Sequence, residues 1–148
     1  MTATAHALIG GAIAASVKNP ALGIVLATSS HPLLDMVPHW DFGLGWRNKS
    51  KIHFLAESSF DLLLGLVLAY LLFGRNVNPV YFFGVIFASL FFDFMTFPYW
   101  FFKWQFPPFS TIYKFQHAVN TRAKLPWGIL NQVIVVAGVI LILQIIHY

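Results

Sequence analysis

Six histidines and five acidic residues carry most of the reactive chemistry of this chain, and most of them fall into two evenly spaced groups. His31, Asp35 and His39 stand at successive four-residue intervals, and so do His53, Glu57 and Asp61. On a helix that spacing stacks side chains along one face. Asp41 follows the first group, Asp93 stands in the run Phe91-Phe92-Asp93-Phe94, and His6 lies in the first apolar stretch. The chain has no cysteine, so disulfides and thiolate metal sites are excluded and any metal must be held by imidazole and carboxylate. Such a donor set suits Zn best, with Mn, Fe and Mg behind it. Catalytic zinc keeps three protein ligands and an open position, and further carboxylates can bridge two ions or activate water. The spacing is not His-Glu-x-x-His, and there is no glycine-rich phosphate loop or nucleophile elbow, so zincins, P-loop enzymes and serine hydrolases are not indicated.

The surroundings of these residues sharpen the reading. The 148 residues are 58% hydrophobic and only 9% charged, with a mean hydropathy of +0.71, whereas soluble domains carry about 25% charged residues. The composition predicts an integral membrane protein with residues 1–148 forming one domain. An aspartate at the centre of a bilayer costs about 2.5–3.5 kcal/mol on insertion scales. No Lys or Arg lies within 52–73 or 79–102 to offset such a cost, which leaves a cation from solution, protonation or a water-filled cavity. No Lys or Arg precedes Lys18, so the first apolar stretch reads as a retained helix rather than a secretory signal. The net charge of +4 comes from few, dispersed basic residues and does not suggest nucleic-acid binding.

Five helical segments are expected, over residues 4–17, 21–36, 51–73, 79–102 and 126–146, with the first two short. This is an all-α, multi-span transmembrane bundle; four spans is the alternative if the first pair inserts only partly, since a full crossing takes about 20 residues. Gly10, Gly11, Ala14 and Ala15 would let the first helix pack closely on its neighbours. Residues 108–122 mix Phe109, Ile112, Tyr113 and Phe115 with polar residues, as an interfacial amphipathic segment does. Trp40, Trp46, Trp100, Trp104 and Trp127 mostly flank the polar loops 37–50 and 103–125, like an aromatic belt. Those loops, with Lys51 at the edge of the first, carry seven of the nine basic residues, Arg47 and Lys49 among them; Lys18 and Arg75 are on the other side. The positive-inside rule then puts the N-terminus in the cytoplasm.

This topology brings the polar residues together. His6 at the start of the first helix, His31 and Asp35 at the end of the second, and His53, Glu57 and Asp61 at the start of the third all fall in the leaflet of the basic loops. Asp93 heads back to that leaflet and His117 lies in the second loop, whereas His147 is at the opposite end. The expected metal ligands are His6, His31, Asp35, Glu57 and Asp61. Glu57, Asp61 or Asp93 would act on water as the catalytic carboxylate, and His39, Asp41, His53 and His117 would support the ligands. Blander roles stand beside these: His31, next to Pro32, could satisfy a carbonyl freed by the proline, Asp35 could be a helix-end carboxylate, and His53 and His117 could be interfacial residues.

The opening Met1-Thr2-Ala3 with His6 and Gly10, and the run His31-Pro-Leu-Leu-Asp35-Met-Val-Pro-His39-Trp-Asp41, resemble the family of membrane-bound, metal-dependent hydrolases of the bacterial inner membrane. The resemblance covers about the first third of the chain and touches His6, His31, Asp35 and His39. The His-Arg-Gly-x-Thr-His-Ser block of that family is absent, and residues 40–49 stand in its place. It implies a small multi-helix inner-membrane protein with a divalent metal. The expected function is hydrolysis of an ester or phosphoester in an amphiphilic substrate at the cytoplasmic leaflet, with membrane lipid as its surroundings. Lys49, Lys51 and Lys114 would attract an anionic headgroup. Two other readings remain open: a transporter or channel subunit, since intramembrane carboxylates also mark ion pathways, and a scaffold whose metal only ties helices together.

Overall fold

The computed structural model describes residues 1–45 and 48–147; Trp46 of the expected aromatic belt, Arg47 of the expected basic loop and the side chain of His147 lie outside the described residues. Among the described residues the chain is all-helical: α1 (Ala3–Ser16), α2 (Pro20–Asp35), α3 (Lys51–Ala69), α4 (Pro79–Ser89), α5 (Phe91–Phe101), α6 (Phe109–Val119) and α7 (Trp127–His147). A π-helical turn, Tyr70–Gly74, prolongs α3. Local signals set the starts. Thr2, Asn19, Ser50 and Asn78 each accept a hydrogen bond from the first turn of the helix they precede, and Pro20 and Pro79 occupy first-turn positions where a missing N–H costs nothing.

The core is built around α1. Nine of its 14 residues are buried, and it packs on α2, α3, α4 and α7. Its small residues allow this. A side chain at Gly10 would run into Ser89 and Ile86, and one at Gly65 of α3 would meet the backbone of Thr4. Outside this centre the faces are apolar: Phe60, Leu63 and Val67 of α3 and Val133, Ile134, Leu141 and Ile142 of α7 are all more than half exposed. Aqueous surfaces rarely carry such contiguous apolar faces, whereas lipid favours them.

Among the described residues two helices are long and apolar enough to cross a membrane, Lys51–Gly74 and Trp127–Ile145. The sequence suggests five crossings, but α1 and α2 are only 14 and 16 residues long, short of about 20. The expected single helix over 79–102 is also corrected. It breaks at Leu90, whose backbone leaves helical geometry (φ −99°, ψ 4°), and α4 and α5 diverge by 55°, counting as a third span only if taken together. The break has a tertiary cause. The Ser89 carbonyl accepts a hydrogen bond from His31 Nδ1 at 2.6 Å, and Ser89 Oγ donates to the His6 carbonyl at 2.9 Å. The amphipathic segment expected at 108–122 is α6, the most amphipathic of the helices and without a fully buried residue.

At the end of the bundle where α1 begins, backbone pairing ties two loops together. His39 N–H donates to the Thr121 carbonyl at 3.1 Å, Ala123 N–H to the His39 carbonyl at 2.7 Å, and Thr121 N–H to the Asp35 carbonyl at 2.9 Å. Gln132 of α7 joins the same end. It accepts from Thr2 at 3.0–3.1 Å and donates to the Trp40 carbonyl at 2.6 Å.

Candidate metal centre

Helices α1, α2 and α5 bring four histidine and aspartate side chains together, of which His6, His31 and Asp35 are buried and Asp93 is part-exposed. Asp35 ends α2 and is 1% exposed. One of its oxygens lies 3.2 Å from His6 Nε2 and the other 3.3 Å from His31 Nε2. The Met1 amino group also contacts it. Asp93, in the first turn of α5, lies 3.6 Å from His31 Nε2. His6 and His31 stack with ring centroids 3.8 Å apart and planes 7° from parallel. His6, His31 and Asp93 each offer a ligand atom within 4.8 Å of the others, a group that could hold a metal ion. The bend at Leu90 matters here, because α5 starts just after it and carries Asp93 towards the histidines.

Hydrogen bonds on the far side of two imidazoles, His31 and His39, fix their chemistry. A carbonyl can only accept, so the bond to Ser89 puts a proton on His31 Nδ1. His39 Nδ1 likewise donates to the Val37 carbonyl at 2.8 Å. Each ring, when neutral, therefore turns an Nε2 lone pair inward, the form in which imidazole binds metals and the outer contact that orients it. Gln116 of α6 steadies the group, donating to Asp93 at 3.0 Å and lying 3.3 Å from His31 Nε2. Inward lone pairs facing inward carboxylates repel one another unless a proton or a cation sits between them.

The second acid–histidine group goes elsewhere. Asp61 is buried, as a ligand would be, but its oxygens are spent on the start of α1. They accept from Ala3 N–H at 2.6 Å, Thr4 N–H at 3.1 Å and Thr4 Oγ1 at 2.7 Å. A carboxylate suits a helix N-terminus, where N–H groups lack intrahelical partners and the dipole is positive. Asp61, expected as a ligand or catalytic group, instead anchors α1. Gly65, one turn on along the same face, lets α1 come that close. Glu57, also expected as a ligand, sits in a part-exposed cluster with Lys49 Nζ at 2.5 Å and His53 Nε2 at 3.1 Å. A lysine thus neutralises this acid after all, reaching it from the loop rather than from within a helix. His53 is mostly exposed, and His117 stacks on Tyr113 of its own helix.

A cavity of about 390 Å³ opens beside the centre, between α3, α5 and α6. Leu55, Leu62, Phe94 and Phe97 give it apolar walls, and Asp35, Asp93 and Gln116 lie on its polar side. Arg122 also lines it and donates to Asp41 at 3.2 Å. Burial works against a charged Asp41, but positive charge beside it, the Arg122 guanidinium among it, holds the carboxyl below its ordinary pKa. Gly43 makes room for this pair, since a side chain there would press on both Asp41 and Arg122.

Sequence reasoning missed Ser89, Gln116 and Arg122. Ser89 carries a signal, the one serine in the apolar run 79–92, and Gln116 lies on the polar face of an amphipathic segment. Arg122 was read only as loop charge. Compared with protein-family models, with curated proteins and with solved structures, the chain matches none.

Proposed function

We propose that this chain is a membrane-embedded, metal-dependent hydrolase of the kind its N-terminal third resembles, acting on an ester or phosphoester of an amphiphile. The observation that carries the reading is the cluster of His6, His31, Asp35 and Asp93, whose two carboxylates line an apolar cavity with the two buried imidazoles behind them. His6, His31 and Asp93 would hold a divalent ion, zinc suiting the imidazole content best, with Asp35 beside them. Such an ion, when bound, polarises an ester or phosphoryl oxygen and lowers the pKa of water. The chain's own residues do the rest. Ser89 and Gln116 orient His31 and Asp93, the walls at Leu55, Leu62, Phe94 and Phe97 exclude water and accept a hydrocarbon chain, and Arg122 offers donors to an anionic headgroup. Lys49 is engaged by Glu57 and Lys51 lies over the Phe101 ring, so Arg122, which lines the cavity, takes the role expected of them.

In this reading α3, the bent pair α4–α5 and α7 cross the inner membrane, α1 and α2 complete the bundle, and α6 lies in the headgroup layer. The basic loops and the N-terminus face the cytoplasm. The test is hydrolysis by protein purified in detergent and supplied with zinc or manganese, assayed on long-chain carboxylic and phosphoric esters against short-chain analogues. Turnover of the long-chain esters should vanish with chelator and in Asp35→Asn. Metal-replete protein that hydrolyses none of them, while chelator lowers its melting temperature, would establish a scaffold with a structural ion instead.

A further inference from the structure

Every acidic side chain of this protein belongs to the half of the bundle that holds the centre. Asp35 closes α2, Asp41 follows it, Glu57 and Asp61 lie in the first part of α3, and Asp93 opens α5. At the opposite end α1 closes, α2 opens, the π-helical turn finishes α3 and α4 begins. That end carries two basic residues, Lys18 and Arg75, and no acid. Both are exposed, and among the described residues every acid in an ion pair is matched with a group near the centre or with Lys49 or Arg122, never with these two. Membrane proteins concentrate Lys and Arg on one side. Here seven of the nine do lie on one side, and the two exceptions line one cleft of about 620 Å³.

The walls of that cleft are apolar. Leu72, Phe73 and Val77 line it together with the two basic residues. The π-helical turn Tyr70–Gly74 sets Leu72 and Phe73 just ahead of Arg75, so greasy wall and charge come from one short stretch; such turns recur at functional sites. On the other side, Tyr81 Oη donates to the Val17 carbonyl at 2.5 Å and ties α4 to the end of α1 beside Lys18. We propose that this cleft seats one anionic phospholipid of the leaflet opposite the centre. Arg75 takes the phosphate through paired N–H donors, Lys18 adds a second positive charge to it, and the acyl chains run along the apolar wall. A lipid fits better than free phosphate because the wall continues towards the hydrocarbon: Val67, Leu71 and Leu72 are all more than half exposed. The site is independent of the metal reading and binds without chemistry.

The test is native mass spectrometry of the full chain released from detergent, titrated with dioleoyl phosphatidylglycerol or dioleoyl phosphatidylcholine. Wild type is compared with Lys18→Gln/Arg75→Gln and with a charge-matched control at the other end, Lys114→Gln/Lys124→Gln. Wild type should hold one phosphatidylglycerol in preference to phosphatidylcholine. The cleft variant should bind it roughly 30-fold more weakly, about fivefold for each charge removed, with the control within about twofold of wild type. If the double variant does not survive extraction, Arg75→Gln alone should show the single step. Unchanged affinity in the cleft variant, or an equal loss in both variants, overturns the site. Inorganic phosphate that displaces the lipid as fully as excess phosphatidylglycerol does overturns a lipid as the occupant. A cleft variant that melts earlier with its lipid affinity unchanged would reduce Lys18 and Arg75 to charges complementing the ends of α1 and α3.

Discussion

Two stretches of this chain carry the same pattern, acid and imidazole at four-residue intervals, and put it to different uses. In His31–Asp35–His39 the residues turn into the bundle against α1 and α5, where the two imidazoles and Asp35 are buried together. In His53–Glu57–Asp61 only Asp61 is buried, and it caps α1 while Glu57 joins Lys49 and His53 in part-exposed surroundings. Spacing alone therefore says that side chains share a face, not what that face meets. For the first stretch it meets other imidazoles and carboxylates; for the second it meets backbone N–H groups at one level and a lysine at another.

The contrast can be broken by substitution. The largest effect should come from Asp35→Asn, which removes the charge that His6, His31 and His39 surround. Metal content of purified protein should fall more than the roughly 10–100-fold typical of residues that only support a ligand. If Asp35→Asn stays metal-replete, the first stretch is no more a metal site than the second. Next comes Asp61→Ala. Ala3 and Thr4 N–H would lose their acceptor in a part-buried place, costing about 1–3 kcal/mol. The melting temperature in detergent should drop in the presence and absence of chelator alike. Metal lost at temperatures where the bundle is still folded would return Asp61 to the ligands.

A smaller effect is expected from Ser89→Ala. It removes the hydroxyl bond to the His6 carbonyl but keeps the carbonyl that holds His31. Stability should fall by about 1 kcal/mol with metal retained. Loss of metal at unchanged stability would mean that the hydroxyl, not the carbonyl, sets the centre. Smallest is Glu57→Gln. A part-exposed ion pair contributes about 0–1 kcal/mol, so melting temperature and metal content should both stay close to wild type. A metal deficit in that variant would erase the distinction between the two stretches.

Much of this was legible from residue order. The helices α2, α3 and α7 begin and end within a few residues of where hydropathy, Asn19-Pro20 and Ser50 put them, because those signals are local. The gathering of His6, His31, Asp35 and Asp93 at one end followed from the alternation of helix directions. The errors have physical causes. The break at Leu90 depends on hydrogen bonds from His31 and to His6, partners far away in sequence, so the apolar run around it reads as one helix. Asp61 misled because its partners are main-chain N–H groups, which have no signature in residue type. The Lys49–Glu57 pair was hidden because the lysine reaches back from the loop across the start of α3.

The anchoring of α1 by Asp61 has a mechanical consequence. With the carboxylate gripping Ala3 and Thr4, and Gly65 pressed against Thr4, α1 cannot slide along α3. His6 sits less than one turn beyond that grip. Its height is thus tied to the depth and tilt of α3, while His31 and Asp35 ride on a different helix. A bilayer too thin or too thick for the Lys51–Gly74 span is accommodated partly by tilt. That tilt would carry one imidazole relative to the others, making lipid thickness a lever on the spacing of the cluster.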